Sequence, residues 1–387
     1  MKRTYLLFEL NMLAHNRKNW LLGLALVLFF PIYFGHYSQQ QIETVQDQKN
    51  EEAGLFETIF KAFPEELRES EEGQMIYDNL TEQASLINMQ RFYLWDEEEN
   101  SKAYIEDGLR LTELRLQLYD AGNKGMPEEL IMTEEEIRQE TALLTYQQQH
   151  DVPIIADPLA ASAFIPAALD RISGAPFGLF VLLIGSSMML HDRANRSVME
   201  GLPVSSSQRM LTKLGVHLAL ITLFLAAGIG AGALYAGLKT GWGDFLSPLL
   251  LYDGGEFRAV SSVSYIVLQS LSFLLISLLL LAAFALLQEF TENTYAAVLI
   301  ILFFILLPSI LSTAGLQAGW LRPLVMLDSA SVMNGIAAER YASRQLDIRH
   351  AFFWYAGLTA ILLGTAAIVN RLRYRQPARA YRTARKH

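Results

Sequence analysis

The chain has 387 residues and no Cys, and its 31 Lys or Arg residues and 40 Asp or Glu residues give a formal net charge of −9. The absence of Cys excludes disulfide scaffolds, Cys-ligated zinc sites and thiol catalysis, and no HExxH motif of a catalytic zinc site is present. Since a GxxxxGK[ST] phosphate loop is absent as well, we expect that the chain does not hydrolyse ATP itself.

The charge is divided unevenly along the chain. Residues 37–172 contain 29 acidic and 10 basic residues, whereas the rest of the chain contains 11 acidic and 21 basic ones. The sequence therefore combines an acidic insert with a basic, apolar remainder. Because the basic residues border apolar segments in an acidic chain, we expect no nucleic-acid partner.

Six uncharged apolar stretches are about as long as the roughly 20 residues that a helix needs to cross a bilayer. They are Asn19–Ile42, Ile172–Leu190, Leu214–Leu238, Ala259–Gln288, Asn293–Leu321 and His350–Asn370. Since one charged residue at the centre of a membrane helix costs about 2.5–3.5 kcal/mol, these stretches predict an all-α polytopic membrane protein with six transmembrane helices.

The same pattern divides the chain into five parts. They are a cytoplasmic interfacial helix at 1–18, the first transmembrane helix at 19–36, an extracellular, mainly helical domain at 37–172, transmembrane helices two to six within 173–371, and a basic cytoplasmic tail at 372–387. Two further apolar segments, Ile154–Leu169 and Pro323–Ile336, contain Asp and Pro, and the second belongs to a predicted extracellular re-entrant stretch at 322–349. We predict that both lie at the extracellular membrane surface or dip into it.

Lys and Arg residues near the ends of the stretches predict the orientation, because cytoplasmic loops carry an excess of them. The N-terminal segment, the 190–213 connection and the C-terminal tail hold 15 basic residues, against six in the short connections on the other side. Both termini are therefore predicted to be cytoplasmic, which requires an even number of crossings.

The acidic insert has the pattern of helices. One apolar series follows helical spacing; it consists of Ile105, Leu109, Thr112, Leu116 and Tyr119. Thr133 and Glu136 have the spacing of a capping box, which predicts a helix start there. We interpret the acidic run at 96–99 as a solvated surface, with attraction of cationic substrates as the alternative. The run lacks the spaced ligands and central Gly of a calcium loop, so no metal site is predicted.

The connection at 191–213 contains an ordered series of signals. Asp192 and Arg193 form a charged helix exit, a short segment then ends in Gly201, and the turn Pro203-Val204-Ser205 precedes a new helix that Lys213 leads into the third apolar stretch. This order, with six crossings and a large insert after the first, resembles the ABC-2 type family of ABC transporter permeases.

Two residues of the connection depart from the family pattern. Ser206 replaces the Arg that frequently follows the Ser of the turn, and Ser197 stands where a Gly-Thr pair is common. The departures weaken the motif without removing it, because the layout of the whole chain carries the rest of the resemblance.

The resemblance implies a transmembrane permease subunit of an ATP-binding cassette transporter. The 191–213 connection would be the coupling loop that docks into a cytoplasmic ATPase subunit. Its candidate contact residues are Asp192, Arg193, Arg196, Glu200, Gly201, Leu202, Pro203, Arg209 and Lys213. Glu289 and Glu292, in the next cytoplasmic connection, form a candidate second contact. The alternatives are topology and lipid-headgroup contact for the basic residues, and a tight solvated turn for the two acids.

The resemblance also implies the partners and the cargo. The partners are an ABC ATPase subunit, a second permease chain in a homodimer or heterodimer, and the lipid bilayer. We expect this chain to bind no cofactor or metal, with ATP and Mg²⁺ bound in the partner subunit. The implied activity is export of an antimicrobial peptide, a lipid-like compound or a drug across the cell membrane, by resemblance a bacterial plasma membrane.

Two other functions remain open. Some relatives are assigned to sodium extrusion, although no ionisable residue lies in the middle of a predicted span, which disfavours an ion relay. An envelope sensor or receptor that uses the extracellular domain is the second alternative. A membrane enzyme is not expected, because no arrangement of catalytic residues is apparent within the spans.

Overall fold

The computed structural model describes residues 2–40, 42–95, 100–127, 131–154, 157–189, 204–291, 293–316 and 318–384. Within these residues the chain is mainly helical and divides into two compact units. We call residues 1–34, 167–235 and 267–387 the span unit, and residues 35–166 and 236–266 the insert unit.

Helices make up most of both units. In chain order they are α1 (Lys2–Ala14), α2 (Arg17–Tyr37), α3 (Val45–Ala62), α4 (Glu65–Arg68), α5 (Glu71–Tyr93), α6 (Ser101–Asp120), α7 (Glu134–His150), α8 (Ala161–Ile172), α9 (Ala175–Gly185), α10 (Ser206–Lys239), α11 (Ser262–Phe290), α12 (Thr294–Thr313), α13 (Arg322–Val325), α14 (Ser329–Met333), α15 (Ile336–Arg340) and α16 (Ile348–Ala384). Two strands, β1 (Pro248–Asp253) and β2 (Glu256–Ser261), lie between α10 and α11, and a 3₁₀ turn at Gly319–Leu321 precedes α13.

Within the described residues, five helical segments are long and apolar enough to cross a membrane. They are Arg17–Tyr37, Ser207–Lys239, Ser262–Phe290, Thr294–Thr313 and Ile348–Val369. A sixth is obtained if the bent pair of α8 and α9 counts as one span. The chain is therefore a multi-pass, mainly helical membrane protein, which confirms the predicted class at this coarser level.

The insert unit has an apolar core between α3, α5 and α6. Its most deeply buried members are Ile59, Ile76, Leu80, Ile87, Leu111 and Leu118. The helix starts follow local signals: the Thr133 hydroxyl accepts from the backbone N–H of Glu136, and the Glu136 carboxylate accepts from the backbone N–H of Thr133 at 2.7 Å. The predicted capping box is thus confirmed.

Helix α6 buries a different stripe from the predicted one. Ile105 and Thr112 are buried as expected, but Tyr119 is 38% exposed. The buried side chains instead centre on Leu111 and Arg115. The reason is that α5 and α7 both pack against α6, so two neighbours widen and rotate the buried face beyond one helical series.

Strands β1 and β2 form an antiparallel hairpin that packs against α7. The register pairs Leu251 with Arg258 and Asp253 with Glu256. Gly254 and Gly255, at φ +68° and +90°, form the two-residue turn, a conformation that glycine adopts without steric cost. The hairpin departs from the purely α-helical prediction, and it moves the start of the fourth apolar helix from Ala259 to Ser262.

In the span unit, α2 and α10 approach each other through glycines. A Cβ on Gly23 would lie 2.2 Å from the ring of Phe224, and one on Gly228 would lie 2.7 Å from the ring of Phe30. Each helix therefore offers a glycine to an aromatic ring of the other, which allows the close packing typical of membrane helices.

The segment predicted as the second span is not one continuous helix. Helices α8 and α9 are bent by 68° at Ser173–Gly174, and Gly174 has φ +69°, a value that side chains with a Cβ rarely adopt. Pro176 lies in the first turn of α9, where the backbone N–H that proline lacks would have no intrahelical acceptor. The predicted helix at Ile172–Leu190 is thus an 11-residue helix that begins only at Ala175.

Candidate functional site

Most residues of the predicted coupling loop lie outside the described residues. These are Asp192, Arg193, Arg196, Glu200, Gly201, Leu202 and Pro203, together with Glu292 of the second predicted contact. Glu289 is half-buried near the end of α11. Arg209 and Lys213 lie near the start of α10, where both are buried. The structure thus describes the two ends of the loop, and the loop's role remains a prediction.

Lys213 is paired inside the protein. Its Nζ lies 2.7 Å from Oε1 of Glu9 on α1, and the side chains are 0% and 2% exposed. The Tyr5 hydroxyl donates to the same Glu9 oxygen at 2.5 Å. Breaking such a buried pair leaves an uncompensated charge, which is strongly destabilising. This ion pair therefore fixes the start of α10 to α1.

The other end of the loop is fixed to α2. The Lys18 ammonium donates to the carbonyl of Leu183 at 2.8 Å and to the Ser186 hydroxyl at 2.7 Å. Asn19, 1% exposed, donates to the Ser187 hydroxyl at 3.4 Å. A cation suits the C-terminal end of a helix, where carbonyls have no intrahelical partner. The chain on each side of residues 190–203 is thus held by a different N-terminal helix.

The span unit also contains a cavity of about 1070 Å³, which we call the broken-helix cavity. Apolar side chains of α2 and α9 form its walls; they include Leu22, Leu26, Phe29, Phe177, Phe180 and Leu183. Polar side chains gather where α8 and α9 break; they are Asp170, Arg171, Ser173, Asp328, Ser331 and Asn334. The cavity is therefore amphipathic, with its polar end at the helix break.

Hydrogen bonds attach the helix break to α14. The hydroxyls of Ser173 and Ser329 lie 3.1 Å apart, and Ser173 also accepts from the backbone N–H of Ala330 at 3.1 Å. The Asn334 amide donates to the Asp170 carboxylate at 3.1 Å. The predicted 322–349 stretch thus supplies short helices that build the polar end of the cavity.

Asp328 lies beside the first turn of α9. A Cβ on Gly174 would lie 3.2 Å from the Asp328 carboxyl carbon, and the Ser331 hydroxyl donates to that carboxylate at 2.6 Å. A carboxylate at a helix N-terminus is stabilised by the helix dipole. Two features therefore favour glycine at position 174: the backbone has a positive φ, and Asp328 lies close to where a Cβ would be.

Sequence reasoning did not select Asp170, Asp328 or Asn334. Asp170 lies just before a predicted span, and Asp328 lies in a stretch assigned to the membrane surface. The available signal was Gly174-Ala175-Pro176 inside an apolar run, since a Gly followed by Pro marks a helix start rather than a helix interior.

Comparisons of the chain with known protein families, with characterised proteins and with solved structures find no match. The assignment as a multi-pass helical membrane protein consequently rests on the length and apolar composition of the chain's own helices. The broken-helix cavity and the anchored loop ends are the features of the span unit that bear on its function.

Proposed function

We propose that the chain is the permease subunit of an ATP-binding cassette transporter that exports an amphipathic or hydrophobic substrate. The broken-helix cavity carries this proposal. Its apolar walls and single polar end fit a molecule with an apolar body and a polar head, since ligand sites are mostly apolar with a few placed polar groups. Discontinuous helices also line the substrate sites of many transporters.

The anchored loop ends supply a route for coupling. In the proposal, a cytoplasmic ATPase subunit binds ATP and Mg²⁺ and contacts the 191–213 loop. A displacement of residues 190–203 would act through Lys18 on α2, which forms one wall of the cavity. It would act on α1 through the Glu9–Lys213 pair as well. We thus propose that Lys213 anchors the loop, because its buried charge pairs with Glu9 of the same chain.

The topology is part of the same proposal. The bent pair of α8 and α9 is taken as the second of six crossings, with both termini in the cytoplasm and the insert unit outside the cell membrane. A second permease chain, identical or different, would complete the transport pathway. ABC-2 type exporters are the family whose layout this arrangement resembles.

A pair of tryptophan variants tests the role of the cavity. Ala25 and Leu24 are both exposed on α2, but only Ala25 lines the cavity. We expect Ala25→Trp to reduce transport of an amphipathic dye into inside-out vesicles at least about tenfold, because a Trp side chain fills space that the substrate needs. Leu24→Trp should transport at the wild-type rate. Equal activity of the two variants would remove the cavity from the pathway.

The coupling role needs a separate experiment. The chain is purified from its native membrane in mild detergent, and the co-purifying proteins are identified and assayed for ATP hydrolysis. We expect an ATPase subunit whose binding or stimulated hydrolysis is lost when Gly201, Leu202 and Pro203 are replaced by Ser. If all three replacements leave binding and hydrolysis intact, the coupling assignment is wrong.

The carboxylates of Asp170 and Asp328 at the polar end favour one alternative, extrusion of a cation such as sodium. The same vesicles distinguish the two. ATP-dependent accumulation of sodium in the absence of an amphipathic substrate, lost in Asp170→Asn, would replace the cargo part of the proposal.

A further inference from the structure

The insert unit contains a second cavity, of about 600 Å³, between α3, α6, α7 and β1. We call it the insert cavity. Its walls are mainly apolar and include Leu55, Phe56, Ile59, Leu143, Leu144 and Leu250. The cavity belongs to a different unit from the broken-helix cavity, and the transport proposal does not use it.

Four charged side chains form one network in this cavity. Lys49 lies 2.8 Å from Glu52 and 3.3 Å from Glu140, and Arg115 pairs with the same two carboxylates. Each carboxylate oxygen thus contacts one nitrogen. We call these four residues the insert quartet; its formal charges sum to zero.

The two signs of the quartet are not equally accessible. The side chains of Lys49 and Arg115 are 8% and 7% exposed, whereas those of Glu52 and Glu140 are 20% and 24% exposed. A carboxylate oxygen has two lone pairs; because Glu52 Oε1 is fully buried, the capacity for a further donor lies at Glu52 Oε2 and at the two Glu140 oxygens. The surface that the quartet offers to a molecule in the cavity is therefore mainly that of hydrogen-bond acceptors with negative charge.

One more carboxylate lines the insert cavity. Glu136, exposed at the start of α7, joins the quartet and brings the formal charge of the lining residues that the structure describes to −1. The acidic balance of the surrounding 37–172 segment adds a negative field of longer range. A single positive charge would neutralise this described part of the lining.

The protonation of the network agrees with this picture. Burial alone would raise the pKa of Glu140, but Arg115 and Lys49 outweigh burial and hold that pKa below its ordinary value. Burial raises the pKa of Tyr104, and the charge of Glu140 adds to the shift. At neutral pH the cavity therefore contains an ionised Glu140 and a protonated Tyr104.

We propose that the insert cavity binds an amphipathic monocation. A primary ammonium head would lie against the exposed side of Glu52, Glu140 and Glu136, and an apolar body would contact the walls formed by α3, α7 and β1. Donors on the head match the spare acceptors of the carboxylates, and the apolar walls contribute binding by surface burial. This inference is independent of the proposed function, because it requires neither an ATPase partner nor transport.

Three probes of the same shape test the proposal by calorimetry. They are 3-phenylpropylammonium, 3-phenylpropan-1-ol and 3-phenylpropanoate, titrated into the full-length protein in phosphatidylcholine nanodiscs, with empty nanodiscs as the blank. We expect saturable binding of the ammonium probe, at least about tenfold tighter than the alcohol, and no binding of the carboxylate. Raising the salt concentration should weaken the ammonium probe most. Equal affinity of the ammonium and alcohol probes, or no binding above the blank, would overturn the proposal.

Two matched variants separate the cavity from the general charge of the unit. Glu136→Gln removes the net charge of the lining and keeps a residue suited to the capping box, whereas Glu135→Gln removes the same charge from an exposed neighbour that does not line the cavity. We expect a loss of about threefold to fivefold in affinity for Glu136→Gln only. Leu55→Trp, at the partly exposed wall, should abolish binding without touching the quartet. An equal loss in both glutamine variants would also contradict the site.

Discussion

The two units bury charged side chains in different ways. The span unit isolates one pair, Glu9 and Lys213, almost entirely from solvent. The insert unit distributes two cations and two carboxylates over the insert quartet and leaves the carboxylates partly exposed. Loss of Lys213 leaves the buried Glu9 carboxylate without this cation, whereas the quartet retains a cation for its carboxylates when one is lost. The first arrangement suits a fixed junction, and the second suits a cavity wall that still has acceptors available.

Loss of the isolated cation should have the largest effect. Lys213→Met leaves the Glu9 carboxylate buried with Tyr5 as its hydrogen-bond donor, so we expect the free energy of unfolding to fall by about 3–5 kcal/mol. The measurement is an SDS titration of the protein in mixed micelles.

The control for this variant is the double change Glu9→Leu with Lys213→Met. Replacing both members of a buried pair by apolar residues is often neutral or stabilising, so the double variant should recover most of the loss. A single variant as stable as the wild type would mean that Lys213 is not the partner that compensates Glu9.

Loss of a cation from the insert quartet should cost less. In Arg115→Met, Lys49 still contacts both carboxylates and solvent reaches them, so we expect a loss of about 2–3 kcal/mol in the free energy of unfolding. Arg110→Met on the same helix is the control, because Arg110 pairs only at the surface with Glu82 and Glu113; little change is expected. If Arg115→Met destabilises more than Lys213→Met, the contrast between pair and quartet fails.

Acid should weaken the insert quartet. Because the pKa of Glu140 is lower in the folded protein than in the unfolded chain, the unfolded chain binds more protons just below the ordinary value of 4.5. The stabilisation is therefore complete above that value and is lost as the pH falls through the folded pKa, with a slope of up to about 1.4 kcal/mol per pH unit. Glu140→Gln should flatten this part of the stability profile, measured by far-UV circular dichroism. An unchanged slope would assign the acid sensitivity to other carboxylates.

The same contrast explains how much the sequence could predict. Long apolar runs and the Thr133–Glu136 capping box are local signals, so the helices of both units were foreseeable. The Glu9–Lys213 pair joins residues far apart in the chain, and nothing in the sequence around either residue indicates its partner. The hairpin was not predicted, because Leu249, Leu250 and Leu251 look like part of an apolar connection. The Gly254-Gly255 turn is nevertheless a local hairpin signal.

The candidate site shows the same limit. The predicted coupling residues were selected from a resemblance, and most of them lie outside the described residues. The broken-helix cavity arises where two separate segments, around Ser173 and Ser329, come together. A hydropathy average along the sequence does not detect such a break, because Gly174 and Pro176 change the direction of the backbone without lowering the apolar content of the segment.

The smallest effect concerns how the insert unit starts its helices. Thr133→Ala removes the hydroxyl that accepts from the N–H of Glu136, so we expect a loss of about 1 kcal/mol in the free energy of unfolding. The matched control is Thr141→Ala in the same helix, whose hydroxyl donates only to the carbonyl of Ile137 four residues earlier. That carbonyl already belongs to the helix ladder, so the control should change stability less. Equal losses would show that the cap hydrogen bond of Thr133 stabilises no more than the hydroxyl of Thr141, and the capping box would then explain where α7 begins but not how firmly it is held.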